Sequence, residues 1–196
     1  MAHNEPPSTS TLLANPAPLG LMGFGTTTVL LNLANAGYYP VDSAVLSMGL
    51  FYGGLAQIIA GILEFRKGNT FGMTAFLSYG LFWETFVFIN VPSFGLGAVH
   101  TASLSAYLFI WGLFTLLMFI GTLRLNGALM FVFVSLFVLF FLLSVGVGWG
   151  NSSILTFAGY EGVVCGLSAI YTSIAEALNE VYRKEMLPIF PVKATA

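Results

Sequence analysis

Six stretches of this chain stay apolar for about 20 residues each, the length that about 30 Å of hydrocarbon demands of a helix rising about 1.5 Å per residue. They run from Leu19 to Ala36, Ser43 to Leu63, Thr70 to Val91, Leu104 to Leu123, Gly127 to Val147 and Ile154 to Leu178. In lipid every backbone polar group needs an internal partner, so each run predicts a helix. The fold class is therefore all-α and integral to the membrane, with six transmembrane helices. Turn-forming segments such as Asn35-Ala-Gly-Tyr-Tyr-Pro40 and Gly148-Trp-Gly-Asn-Ser-Ser153 separate the runs, and no connection is long enough for a soluble domain. Residues 19–178 form one membrane domain, flanked by a polar tail at 1–18 and another at 179–196.

Composition narrows the function as firmly as the fold. Hydrophobic residues make up 57% of the 196 and charged residues 7%, with a mean hydropathy of +0.89, whereas a soluble domain carries about 25% charged residues. An ordinary soluble enzyme is excluded. Six Lys and Arg against eight Asp and Glu give no basic patch for nucleic acid. The lone Cys165 cannot form an internal disulfide, and no His/Cys cluster offers a metal site, so neither metal nor cofactor is expected. His3 and His100 fall in the tail and an outer loop, remote from Cys165, which leaves no nucleophile and base together.

The basic residues orient the chain. Arg66, Lys67, Arg124, Arg183, Lys184 and Lys193 all fall on one side of the six spans, and the positive-inside rule makes that side the cytoplasm, with both termini there. The first 18 residues carry no Lys or Arg ahead of an apolar stretch, unlike a signal peptide. The lipid bilayer is the chain's first partner.

Small and polar residues point to faces inside the spans. Gly49, Gly53, Ala56 and Ala60 make a narrow stripe on span two, and Gly162/Gly166 repeat the GxxxG spacing of Gly49/Gly53, which lets helix backbones approach. On span six Gly162, Cys165, Gly166, Ala169, Thr172, Ser173 and Glu176 occupy roughly a third of the circumference. On span one Gly20, Gly23, Phe24 and Thr27 share a face, so a single large ring stands in a small-residue groove where it can act as a constriction. Tyr52 and Gln57 on span two, with Thr74 and Ser78 on span three, are further polar candidates for a pathway. Each has a competing role: Ser and Thr bond their own helix carbonyls, small residues pack helices, and Gln57 can serve as glue between helices.

Carboxylates are few. Glu84 lies well inside span three without a basic partner in sequence, which makes it a candidate for proton coupling or a neutral acid bonded to a neighbouring helix. Glu176, at the foot of the span-six strip, is the second coupling candidate. Glu64, Glu176 and Glu180 all lie near the basic surface, where Arg66, Lys67, Arg183 or Lys184 can pair with them, so surface charge is their default role. With no Lys or Arg inside the spans, an anion must be held by hydroxyls, amides or helix N-termini, of which Asn15-Pro16 marks one and Asn151-Ser-Ser153 another.

Asn15-Pro-Ala-Pro-Leu-Gly-Leu21 is the most specific run. Asn caps a helix and Pro suits its first turn, so physics reads it as a helix start. Together with Phe51-Tyr-Gly-Gly54 through Gln57, Gly68-Asn-Thr-Phe-Gly72, Ser78-Tyr-Gly80, and Cys165-Gly166 with Ser168-Ala-Ile-Tyr171, it resembles the acetate uptake transporter family, in particular its bacterial succinate-acetate/proton symporters. The resemblance covers nearly the whole chain. It implies six helices per protomer around a narrow pore, a homo-hexamer in the cell inner membrane, and passage of acetate, with succinate in some members, coupled to protons. It also implies a hydrophobic constriction at Phe24, Tyr79 and Leu136, and a pore-side position that affects substrate range at Ala169. The chain departs from that pattern at Glu84 and Glu161, where bacterial relatives carry apolar residues.

Rival functions can be weighed on the same residues. Asn15-Pro16-Ala17 is an NPA triplet, but an aquaporin needs two such triplets on half-helices, and this chain has one, ahead of span one. A passive anion channel for acetate or formate is the alternative to a proton-coupled transporter, and direct flux of each anion separates them. A carboxylate sensor lacks any soluble output domain here.

Overall fold

The computed structural model describes residues 13–91 and 97–192. Among them, six helices are long and apolar enough to cross a membrane. They are α1 (Ala17–Asn35), α2 (Ser43–Lys67), α3 (Thr70–Asn90), α4 (Thr101–Thr122), α5 (Gly127–Gly148) and α6 (Ser152–Tyr182). Of the two tails expected from sequence, residues 1–12, His3 among them, and Lys193 lie outside the described residues.

Short polar side chains start most of the helices. Asp42, Asn69, Asn126 and Asn151 each accept a hydrogen bond from a backbone N–H in the first turn of α2, α3, α5 and α6. Gly68 ends α2 in the left-handed region at φ 79°, which costs a glycine nothing. Two helices outrun the apolar stretches read from sequence by four residues at their C-terminal ends. α2 continues to Lys67, and α6 is 31 residues long, about 46 Å, so its last turns project beyond the hydrocarbon and carry polar Asn179 and Glu180. The middle of α2, Gly49–Ala56, is a π-helix, a departure no apolar pattern signals.

Neighbouring helices close a circuit. α1 lies between α2 and α6, α5 between α6 and α4, and α2 against α3. The remaining side, α3 to α4, is bridged by side chains: the Tyr79 hydroxyl donates to Thr115 Oγ1 at 2.9 Å, and the Phe82 ring stacks on Tyr107 with centroids 5.8 Å apart. Both GxxxG pairs are used within the chain. A Cβ at Gly166 would stand 2.7 Å from the Gly25 carbonyl oxygen, and one at Gly53 would stand 2.9 Å from the Trp83 ring. α4 turns Phe109, Ile110, Leu113, Leu117 and Ile120 outward, the apolar surface that a membrane helix shows to lipid or to another protomer.

After α6 the chain turns back beneath the bundle. Arg183 adopts the left-handed region at φ 51°, and the Asn179 amide then holds the returning segment, accepting from Met186 and Leu187 N–H and donating to the Leu187 carbonyl. Gly127 N–H donates to the Phe190 carbonyl at 2.8 Å, so the returning segment serves the N-terminus of α5, where helix N–H groups need outside acceptors.

Candidate transport pathway

A cavity of about 560 Å3 opens among the helix ends that carry the basic residues. Asn15 ahead of α1, Lys67 at the end of α2, Asn69 ahead of α3, Arg124 between α4 and α5, and Glu176 and Asn179 near the end of α6 line its mouth. Moving inward, the walls turn to carbon. The deepest lining residues are Phe24 on α1, Gln57 on α2, Tyr79 on α3 and Leu136 on α5, each about 10 to 15 Å along its helix from the mouth.

Phe24, Tyr79 and Leu136 line the cavity there from three different helices, and all three are buried. The Phe24 and Tyr79 rings tilt against each other with centroids 6.0 Å apart. Tyr79 is further fixed by the Phe114 and Phe133 rings, edge-on at 5.6 and 6.1 Å. Its hydroxyl is engaged by Thr115, which in turn donates to the Trp111 carbonyl. Gln57 is 1% exposed and spends one amide donor on the Gly53 carbonyl of its own helix at 2.7 Å.

At the mouth, a chain of polar contacts crosses from α2 to α6. Lys67 Nζ donates to Asn15 Oδ1 at 2.8 Å, and Asn15 Nδ2 donates to Glu176 Oε2 at 3.2 Å. Asn15 thus joins a cation to a carboxylate, besides accepting from Ala17 N–H at the start of α1.

Of the pathway, constriction and coupling residues expected from sequence, Asn15, Phe24, Gln57, Tyr79, Leu136 and Glu176 share this cavity, and Thr27, Tyr52, Thr74, Ser78, Glu84, Ala169 and Thr172 lie outside its walls. Thr27 is buried and donates to the Met48 carbonyl of α2. Tyr52 is half-buried, and its carbonyl oxygen lies where a Cβ at Gly23 would meet it. Thr74 and Ser78 sit one position before Ala75 and Tyr79, and that rotation of about 100° turns them away from the cavity. The small strip of α6 goes to helix packing: Gly162 meets Asn32, Gly166 meets Gly25, and Ser173 donates to the Pro18 carbonyl. Ala169 and Thr172 are fully buried in that region, Thr172 bonded to the Ser168 carbonyl of its own helix. Glu84 is half-buried against the π-helical turn, where a Cβ at Gly54 would overlap its carboxylate. Glu161 accepts from Ser135 Oγ at 2.5 Å, between α6 and α5.

Among the carboxylates, sequence misplaced Glu64. Instead of a surface charge paired with Arg66 or Lys67, it is fully buried in the wall of the mouth, and neither carboxylate oxygen has a hydrogen-bond partner among the described residues. A signal was present: Glu64 follows Gln57 by seven residues, two helical turns, which puts both on one face.

Comparison with known proteins covers nearly the whole chain. A sequence profile described as the GPR1/FUN34/yaaH family matches residues 2–192. The chain belongs to the GPR1/FUN34/yaaH family. Within it, the succinate-acetate/proton symporter SatP of Escherichia coli K12 is 57% identical over 182 residues, 92% of this chain and 97% of the relative. Acetate permease A of Emericella nidulans is 35% identical, over 93% of this chain and 68% of its own. A solved structure, that of the bacterial acetate channel SatP, superposes with a TM-score of 0.89 at 57% identity, covering 90% of this chain and 99% of that one. These members are named as transporters and a channel, so membership of the GPR1/FUN34/yaaH family puts the chain among membrane transport proteins rather than enzymes.

Proposed function

We propose that the chain carries small carboxylates, chiefly acetate and also succinate, across the cell inner membrane together with protons, each protomer of a homo-hexamer holding its own path. The observation that carries this reading is one cavity whose mouth is lined by charge and amides and whose inner end is closed by three carbon surfaces from three helices. Its 560 Å3 hold a small carboxylate and several waters at about 30 Å3 each. Lys67 and Arg124 draw a carboxylate to the mouth, and Asn15 offers an amide beside them. Phe24, Tyr79 and Leu136 then strip its water and limit its size. The symporter and permease names of the relatives support the cargo, and the basic residues support a cytoplasmic mouth with both termini on that side. Glu176 is the coupling carboxylate that lies in the cavity.

A passive channel is the second reading, favoured by the description of the similar solved structure as an acetate channel. Labelled acetate uptake into proteoliposomes, with and without an imposed pH gradient and beside protein-free liposomes, tests both. Uptake accelerated by an acidic outside beyond the protein-free background is expected. Protein-dependent flux indifferent to the gradient selects the channel, and strong formate or glycerol flux without acetate flux sinks both readings of the cargo.

A further inference from the structure

Glu64 has no task in the account above, yet it holds the most unusual position in the molecule. It is 0% exposed, both carboxylate oxygens lack a hydrogen-bond donor among the described residues, and it belongs to the wall of the cavity mouth. A buried acceptor with no donor is costly, and a buried unpaired charge more so. The first turn of α3 lies against it: a Cβ at Gly72 would stand 3.0 Å from the carboxyl carbon, yet no N–H of that turn bonds it.

The charged groups that face it are few. Lys67 comes from its own helix, Glu176 and more peripherally Glu180 from α6, and Arg124 from the turn between α4 and α5. α1 and α3 contribute neutral Asn15 and Asn69. At the other end of the cavity, the closing side chains offer carbon, and no Lys or Arg lies among them. Stripping water from a carboxylate there costs far more than stripping it from the neutral acid. An acid that passes the neck neutral must give up its proton where cations can hold the anion.

We propose that Glu64 stores the proton of coupled transport, receiving it through Glu176 from the carboxylic acid that has crossed the neck. The acid's O–H bond breaks and its electron pair stays on the substrate carboxylate, which Lys67 and Arg124 hold. The proton bonds first to an oxygen of Glu176 and, as that O–H bond breaks, passes by way of a cavity water to an oxygen of Glu64 in the same wall. Water at the mouth removes it, which returns Glu64 to its ionised form. Outward movement reverses each step.

This inference rests on carboxylate transport through this cavity, and the test separates the two. Labelled acetate uptake into proteoliposomes of the full chain is measured with an acidic outside and with equal pH, and the ratio of the two rates is the readout. Glu64→Gln is expected to lose the acceleration, and Glu180→Gln, an exposed neighbour, to keep the ratio of the unaltered protein. Glu64→Gln with its acceleration intact overturns the role of Glu64 and leaves the transport reading standing. If Glu64→Gln does not fold, Glu64→Asp carries the test: a displaced pH profile of uptake supports the role, and an undisplaced one overturns it. Absence of acetate uptake by the unaltered protein removes the transport reading and this inference with it.

Discussion

The two sides of the helix circuit are built by opposite means. Where α1 meets α2 and α6, glycines bring backbone onto backbone: a Cβ at Gly23 would stand 2.5 Å from the Tyr52 carbonyl oxygen, and one at Gly25 would stand 2.7 Å from that of Gly166. Where α3 faces α4 and α5, rings fill the space, with Phe82 edge-on to Phe140 at 5.1 Å and to Trp111 at 5.3 Å. The first seam leaves no room for adjustment, because peptide groups cannot rotate aside. The second is made of side chains that can change rotamer. Phe24 comes from the rigid side and Tyr79 from the adjustable one, and the two meet at the inner end of the cavity. Because α3 is also held on the α2 backbone, a Cβ at Gly80 standing 2.9 Å from the Gly54 carbonyl oxygen, any widening at that point falls to the rings between α3 and α4, with α1 as the fixed jaw.

The contrast can be broken by substitution. The largest effect is expected of Gly166→Leu, which drives a branched side chain into the α1 backbone and should leave no cooperatively unfolding protein in a thermal melt. Phe24→Ala comes next: removing the ring from the fixed jaw should raise uptake of acids bulkier than acetate relative to acetate itself, measured by competition in proteoliposomes. Leu136→Ala should act in the same direction, more weakly. If neither changes the rate or the size limit, the constriction lies elsewhere.

A finer comparison sets one added methyl against several removed carbons. Gly166→Ala should cost about 1 to 3 kcal/mol by overpacking, and Phe82→Leu, whose lost carbons the neighbouring rings can partly fill by repacking, should cost less. A melting temperature lowered more by Phe82→Leu than by Gly166→Ala would reverse the assignment of the rigid and adjustable sides. The smallest effect is expected of Glu84→Gln, because Glu84 lies against the π-helical turn outside the cavity. Acceleration of uptake by a pH gradient should persist in it, and its loss would move the coupling group from the mouth to α3.

Sequence made the helices legible because hydrocarbon thickness sets their length, and it made the packing stripes legible because only small residues let backbones touch. Gly49, Gly53, Gly162 and Gly166 are all buried between helices of this chain. Phe24 could be placed in the groove by counting along one helix. Tyr79 and Leu136 could not, since they approach it from helices whose mutual rotation no single-helix count supplies, and family resemblance carried them. Hydroxyls misled the eye at Thr74, Ser78 and Thr172, because a polar group in a membrane helix can be satisfied by its own backbone or turn to another face, as Thr172 is by the Ser168 carbonyl. The burial of Glu64 was hidden for a different reason: proximity to basic residues in sequence says nothing about which side of a helix end is covered by α1, α3 and α6.

The π-helical stretch of α2 has a further consequence, a matter of phase. Each residue of an α-helix advances the side-chain direction by about 100°, and a turn that closes on one extra residue holds that advance back by about one step. Counted steadily from Gly49, Gln57 would point about 80° and Glu64 about 60° away from the face that meets Trp83. With one step withheld across Gly49–Ala56, both swing to its opposite flank, about 20° and 40° on the other side. The helix thus keeps Gln57 and Glu64 within about 40° of the face that packs on Trp83, on the flank that borders the cavity, where a steady α-helix would carry them about 60° to 80° to its other side. Shortening that stretch by a single residue would leave α2 continuous and apolar, able to span the membrane as before, while both polar groups were aimed at the wrong neighbours.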